Sequence, residues 1–242
     1  MVTTPLLLMK TYSIRFNISF LALVLLCENG FGEVVFNNFG PNDGFDLSGG
    51  HSAGWNVFSP SSPLNGGIGS AARFQVDSLS YSLTSVSLAM NRLQGTNNLA
   101  ISIVADNGGL PTGAVLETIV SHPTGITTSP QILTYPSSLD PVLIGGNSYW
   151  LVVQPTDLNL TDGNNNGAFN WWLGWNSPVG TAGFREFNFT TEDWYDWQVF
   201  PETLVPAFRI EGVAIPEPGT LTFALLGLGL IGWARWRGRQ PR

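Results

Sequence analysis

"NLAISIVAD", residues 98–106, is the stretch that decides the fold class. Its apolar side chains alternate, so that Leu99, Ile101 and Ile103 fall on one face of an extended chain and the even-numbered residues on the other. A period of two residues is typical of a β-strand and not of a helix. The stretch therefore predicts a strand that buries one apolar face.

Working outward, "SYWLVVQ", residues 148–154, is apolar on both parities and predicts a central strand covered on both faces. In "YSLTSVSLAM", residues 81–90, the alternation changes phase at Thr84-Ser85, which indicates a bulge or a turn between two strands. Further strands are predicted at residues 34–37, 72–76, 116–120, 131–135, 168–172, 184–188 and 206–211.

The segments between the predicted strands contain the glycine, asparagine and proline residues that favour turns, for example "DNGGLPTG" at residues 106–113 and "IGGNS" at residues 144–148. Roughly ten short strands without an internal repeat favour a β-sandwich of jelly-roll type over a propeller or solenoid. We place this all-β domain at residues 33–212.

The charge of the chain excludes one class of partner. The net charge of all 242 residues is −7, and residues 33–215, with 15 acidic residues and four arginines, carry −11. So few basic side chains cannot neutralise a phosphate backbone, which excludes nucleic acid as the expected partner. Cys27 is the single cysteine, so neither a disulfide nor a cysteine metal site is predicted.

Residues 1–32 have the pattern of a secretory signal peptide. Lys10 and Arg15 precede the apolar run "FLALVLLC" at residues 20–27, and small and polar residues follow it. We therefore predict an N-terminal signal helix and export through the Sec translocon. A lipoprotein signal at Cys27 is less favoured, since the preceding Leu26 is larger than the small residue usual there.

Residues 213–242 contain a second apolar segment. As a helix, the run "PGTLTFALLGLGLIGWARW", residues 218–236, would extend about 28 Å, which suits a bilayer core of about 30 Å. We predict a single transmembrane helix at residues 219–234 and an arginine-rich tail at 235–242. Positive charge favours the cytoplasmic side, which places residues 33–215 outside. A last core helix is the less favoured alternative, because such helices seldom lack a polar face.

The order of these features, with Pro216-Glu217-Pro218 before the apolar run and Arg235, Arg237 and Arg239 after it, resembles the PEP-CTERM sorting signal of exported Gram-negative bacterial proteins. The resemblance implies recognition and cleavage near the PEP motif by an exosortase, a membrane-embedded protease, with the arginines as the membrane stop. It also implies passage through the inner membrane to the cell surface or the extracellular matrix.

The body, from "ARFQVDSLSYSLTSVSLAM" through "LIGGNSYWLVV" to "FNWWLGWN", resembles the exported bacterial β-domains called choice-of-anchor domains. These motifs are strand and turn patterns. The resemblance therefore implies a fold and brings no catalytic residues.

Candidate catalytic residues are sparse. His51 and His122 lack metal-ligand spacing to another histidine or cysteine, and we interpret both as loop histidines. Glu192, Asp193 and Asp196 could pair as in a glycoside hydrolase, but solvated loop acids are the favoured interpretation. We expect no enzymatic activity.

"DGNNNG", residues 162–167, matches the first half of a calcium loop, with oxygen side chains at Asp162, Asn164 and Asn166. An EF-hand needs a bidentate Glu at its twelfth position, which is Leu173 here, so an EF-hand is excluded. A looser Ca²⁺ site remains an alternative to an ordinary Asn/Gly turn, and no other cofactor is predicted.

The predicted domain is rich in tryptophan. Trp171 and Trp172 are adjacent, so on a strand they point to opposite faces and at least one belongs to the core. Indole faces stack on sugar rings, which makes Trp172, Trp175, Trp194 and Trp197 the candidates for carbohydrate binding. The sequence thus favours a structural or adhesive surface protein, with an exopolysaccharide-binding module as the alternative and a glycoside hydrolase as the less favoured third hypothesis.

Overall fold

The structure is a computed structural model that describes residues 32–55, 67–95, 99–156, 168–176, 178–188 and 193–216. Within these residues the backbone is almost entirely β, with one 3₁₀ turn at Pro41–Asp43. The strands are β1 (Glu33–Asn37), β2 (Asp46–Trp55), β3 (Gly67–Gln75), β4 (Ser80–Gln94), β5 (Leu99–Ala105), β6 (Val115–Ser121), β7 (Gln131–Pro136), β8 (Val142–Leu143), β9 (Ser148–Pro155), β10 (Ala168–Leu173), β11 (Val179–Asn188), β12 (Asp193–Trp194), β13 (Gln198–Leu204) and β14 (Phe208–Ile215).

The described strands pair antiparallel in one sheet, with the order β1-β14-β4-β10-β2-β3-β9-β5-β6. Strands β7 and β8 pair with β4, β11 pairs with β3, and β12 and β13 pair with β11. The predicted all-β class is confirmed. No helix in the described part of the chain is long and apolar enough to cross a membrane. The predicted signal helix (1–32) and transmembrane helix (219–234) lie outside the described residues.

The sheet is curled, because strands distant in the pairing order share one core. Phe208 of β14 lies 5.9 Å from Phe74 of β3, measured between ring centroids, and 5.9 Å from Trp171 of β10. Phe36 of β1 stacks on Phe208 at 4.6 Å. Leu151 and Val153 of β9 belong to the same buried cluster. Aromatic and branched side chains on the inner face therefore bring the two halves of the sheet together.

Strand β9 is buried on both faces, as its apolar sequence predicts. Its odd-numbered residues enter the main core, whereas Trp150 and Val152 pack on the other face with Ala71 and Val104. Trp197 and Val199 pack against this second cluster. Trp197 and the start of β13 therefore cover the outer face of β9.

Strand β4 runs continuously through the phase change at residues 84–85. Its register with β14 shifts there, since Glu211 pairs with Ser85 while Gly212 pairs with Leu83. Thr84 is the extra residue, and its carbonyl accepts a hydrogen bond from Ser137 N–H at 2.8 Å. Of the two alternatives that the sequence left open, the bulge is confirmed.

The first and last strands lie side by side. Glu33, which begins β1, pairs with Gly212, and Asn37 pairs with Arg209. Strand β14 continues to Ile215, beyond the boundary predicted at residue 212. Because the two strands are antiparallel, the start of β1 and the end of β14 lie at the same end of the sheet.

Candidate functional site

The predicted sorting motif begins where β14 ends. Ala214 and Ile215 still pair with Tyr81 and Ser80 of β4. Pro216 follows directly and is exposed. Proline has no N–H to donate to the ladder, so it ends the strand. The other motif residues, Glu217 and Pro218, and the stop residues Arg235, Arg237 and Arg239 lie outside the described residues.

The two adjacent tryptophans of β10 point to opposite faces, as predicted. Trp171 is fully buried, and its indole N–H donates to the carbonyl of Ala207 at 2.8 Å. Trp172 is half-buried and packs on the outer face with Phe39 and Phe45. Its Nε1 is buried without an acceptor among the described residues. Trp171 is therefore a core residue, and Trp172 covers the loop that leads into β2.

Trp175 lies against the same loop. A Cβ atom built on Gly40 would be 2.2 Å from the Cγ of Trp175, and one on Gly44 would be 2.8 Å from the ring. The absence of side chains at both glycines lets the backbone lie flat on the indole. The side chain of Trp175 is nevertheless 43 % exposed. One face of this indole is therefore covered by backbone, while part of the ring remains open to solvent.

Trp194 and Trp197 enclose a guanidinium group. The Cζ atom of Arg185 in β11 lies 4.5 Å from the ring centroid of Trp194 and 4.9 Å from that of Trp197. Gln154 accepts a hydrogen bond from Nη2 of Arg185, and Gly69 leaves room for the arginine stem. Both indoles are half-buried. The four predicted tryptophans therefore form two groups, one on the loop before β2 and one around Arg185.

Burial shapes the chemistry of this arginine cluster. Desolvation lowers the pKa of Arg185, and its Nε is buried without an acceptor in the part of the chain that the structure describes. Stacking on two indole faces offsets part of that cost through cation–π attraction. Phe187 meets Trp194 edge-on at 5.3 Å and supports the outer ring. The cluster thus offers aromatic surface and polar groups on one face of β11.

An open cleft lies beside the first half of β3. Ile68 of β3 pairs with Gly54 of β2 on one edge and with Glu186 of β11 on the other. The first half of β3 therefore lies between β2 and β11, and a cleft of about 300 Å³ is lined by residues of all three strands. It is lined by Gly50, His51, Ser52, Ile68, Ser70, Phe184 and Glu186.

His51 is the titratable ring of this cleft. The interpretation of His51 as a loop histidine is wrong, because it lies within β2. Its Nε2 lies 2.9 Å from the carbonyl oxygen of Leu204, and burial lowers its pKa. The hydroxyl of Ser70 donates to the carbonyl of Ser52 at 2.6 Å, so its proton is engaged by backbone. His122 lies in a turn outside the strands, as predicted.

The remaining candidates are acidic or amide side chains. Asp193 and Asp196 are both exposed, and Asp193 accepts a hydrogen bond from the N–H of Trp194 at 2.8 Å. Across the described ranges, no three His, Cys, Asp or Glu residues gather as a metal site would require. Glu192 and the calcium candidates Asp162, Asn164 and Asn166 lie outside the described residues.

Sequence reasoning did not identify Arg185, Gln154 or the cleft beside His51. Arg185 and Gln154 are 31 positions apart and meet because β3 brings β11 and β9 to its two edges. The cleft depends on the point at which β2 separates from β3. One signal was present: Arg185 is one of only four basic residues in an acidic stretch.

Comparison with known protein families found the PEP-CTERM protein-sorting motif at residues 214–240. Comparisons with curated proteins and with solved structures found no match. The motif indicates an exported protein that an exosortase, a membrane protein, recognises and processes at the membrane. The match includes Ala214 and Ile215, which the structure places in β14. The resemblance of the body to choice-of-anchor domains stays a prediction.

Proposed function

We propose that this chain is a non-enzymatic surface or matrix protein, delivered by Sec-dependent export and an exosortase. In this proposal a signal peptide at residues 1–32 starts export, and a transmembrane helix at residues 219–234 holds the chain until it is cut. The β-rich body, which we interpret as a sandwich of jelly-roll type, has a structural or adhesive role. The observation that carries the proposal is the sorting motif at residues 214–240, which overlaps the last two residues of β14.

The processing step can be tested by mass spectrometry of the exported protein from a host with an exosortase. We expect a C-terminus near residues 216–218 for the unaltered chain, and a C-terminus at Arg242 for Glu217→Gln. Glu202→Gln is the matched control, since Glu202 is an exposed acid of β13. An exported, unaltered chain that still ends at Arg242 would contradict the proposal.

The alternative function is binding of exopolysaccharide, and the arginine cluster favours it. Trp194 and Trp197 supply aromatic surface, while Arg185 and Gln154 add groups that hydrogen-bond to hydroxyls. The same cluster would also serve as a purely structural clamp between β11 and the segment before β13. Ligand binding separates these two roles.

A glycan array with the exported chain tests the alternative. We expect retention of an oligosaccharide that Trp194→Ala and Trp197→Ala weaken by roughly tenfold, because each removes a stacking surface. Trp175→Ala, at the other tryptophan group, should bind as before. If the unaltered chain retains no glycan, carbohydrate binding is excluded and the structural role remains. Turnover of a retained polysaccharide, lost in Asp193→Asn and Asp196→Asn, would instead support the hydrolase hypothesis.

A further inference from the structure

Exposed aliphatic side chains lie near the point where the chain leaves the sheet, at the start of β4 and on the far side of that strand. Four of them form what we call the apolar rim, and between 41 % and 69 % of each is exposed: Leu79, Leu139, Val142 and Ile144. Soluble surfaces tolerate single exposed aliphatic residues, but a local group of them is typical of an interaction site.

Strand register places this rim near the end of β14, with β4 between β14 and the β8 segment. Ser82 of β4 pairs with Val213 on one side and with Val142 of β8 on the other. Ser80 pairs with Ile215, the last residue of β14. Leu79 directly precedes β4, and Ile144 directly follows β8. The rim residues therefore belong to the start of β4 and to the β8 segment, which lies on the edge of β4 opposite β14.

The sequence leaves almost no linker between this point and the apolar run. From Ile215 to the start of the run at residue 219 there are four peptide steps, which span at most about 14 Å when fully extended. Pro216 ends the strand and restricts the first of these steps. If residues 219–234 are inserted in a bilayer, this end of the sheet lies within that distance of the membrane.

We propose that the apolar rim rests on the surface of the lipid bilayer while the C-terminal segment is inserted. This rests on the proposed function, because it requires the membrane-inserted run. The rim places its aliphatic side chains at the boundary between headgroups and acyl chains, where apolar side chains partition favourably. The body is thereby held in one orientation, with residues 216–218 at the interface where the protease cuts.

The charges near the rim select the kind of lipid. Asp77 and Asp140 lie in the turns next to it, and residues 76–82 and 139–147 contain no lysine or arginine. Anionic lipids attract basic segments, and these two segments contain no basic residue. The proposed occupant is therefore a zwitterionic surface, such as phosphatidylcholine or phosphatidylethanolamine.

The test uses the full chain inserted in phosphatidylcholine vesicles that carry a quencher at headgroup depth. In a Cys27→Ser background, a polarity-sensitive fluorophore is attached at Ile144→Cys, and Val142→Cys repeats the measurement in case one variant fails to fold. Leu93→Cys is the matched control, because Leu93 is 53 % exposed on the same strand as Ser80, roughly 40 Å away at the usual rise per residue. Leu226→Cys, at the middle of the apolar run and out of reach of a headgroup quencher, reports insertion itself through a blue shift of the same fluorophore.

We expect quenching at Ile144 and Val142 to exceed that at Leu93 by at least about twofold, as interfacial contact requires. A blue shift of the fluorophore at Leu226, with equal and low quenching at the rim and at Leu93, would overturn the rim proposal and leave the proposed function intact. No blue shift at Leu226 would show that the run is not inserted, and both would fail. A fluorophore signal at the rim that requires added exosortase would assign the rim to a protein partner. A signal that rises with protein concentration would assign it to a second copy of the chain. Either result would overturn the lipid contact.

Discussion

Trp171 and Trp172 are neighbours in β10 whose side chains meet opposite environments. Trp171 has its indole N–H bonded to the carbonyl of Ala207, and its ring packs against Phe208. The Nε1 of Trp172 is buried and finds no acceptor in the described part of the chain. A buried donor without a partner costs free energy, so the two rings contribute unequally to stability.

Replacement by phenylalanine separates the two contributions. We expect Trp171→Phe to lower the free energy of unfolding by about 2 kcal/mol, through a lost hydrogen bond and a small cavity. Trp172→Phe should change it by less than about 1 kcal/mol, because the unpartnered donor is removed together with some contact area. Urea denaturation measures both. Equal losses for the two variants would contradict this assignment.

At the scale of elements, a buried carboxylate holds the turn between β7 and β8. Glu117 of β6 is only 2 % exposed and accepts hydrogen bonds from Ser138 N–H at 2.7 Å and Leu139 N–H at 3.2 Å. The hydroxyls of Ser137 and Ser138 also donate to it. Burial alone would raise the pKa of Glu117, but these hydrogen bonds outweigh burial and lower it. The carboxylate is therefore charged when it fixes the turn.

Stability should depend on the protonation of Glu117. Since its pKa is lowered in the folded state, its contribution is complete above the unfolded pKa of about 4.3 and is lost as pH falls through the folded pKa. We expect Glu117→Gln to cost about 2–3 kcal/mol at pH 7, because the amide nitrogen cannot accept the hydrogen bond that Oε2 takes from Ser137, and the three bonds to Oε1 lose the negative charge that strengthens them. Urea denaturation from pH 7 to pH 3 should also show a shallower loss of stability than in the unaltered chain.

The control for this measurement is Glu202→Gln, which alters an exposed acid of β13. It should reproduce both the stability and the pH profile of the unaltered chain. If Glu117→Gln follows the same acid profile as the control, then Glu117 does not hold the turn in its charged form.

At the scale of the whole molecule, the curled sheet brings the first and last strands together. Glu33 pairs with Gly212, so the two ends of the described body are neighbours. The core between the halves of the sheet draws on β3, β4, β9, β10 and β14. We therefore expect the free energy of unfolding to depend on the strand pairings and the shared core, and not on the order of the strands along the chain.

A circular permutant tests this view. Joining Ile215 to Glu33 through about six Gly/Ser residues, with new ends between Thr124 and Gly125, cuts an exposed connection and leaves the described strand pairings intact. We expect one cooperative unfolding transition, with a free energy within about 2 kcal/mol of the original order. The same linker with new ends between Leu151 and Val152 cuts the buried strand β9 and should prevent folding. A body that folds with the second cut and not with the first would refute this account.

Individual strands show how much of the fold the local sequence pattern predicts. The alternation in residues 98–106 and the double-sided apolar run at 148–154 predicted β5 and β9, because burial on each face depends on sequence parity alone. Strand β2 was missed, since "DLSGGHSAGW" has too few large side chains to show a period. It is a strand because Phe169 and Trp171 of β10 pair against Ala53 and His51 and supply the apolar surface that its own sequence lacks.

The sequence by itself determined the all-β class, an irregularity at the phase change in β4, the burial of at least one of two adjacent tryptophans, and the sorting motif. Each depends on the order of neighbouring residues, which local geometry converts directly into structure. Only the tertiary structure decided that Arg185 lies between Trp194 and Trp197, that a cleft opens beside His51, and that exposed aliphatic side chains lie across β4 from the end of β14. These features depend on which strands pair and in which register. Both are fixed by the packing of all the core side chains together, which no single segment of sequence determines.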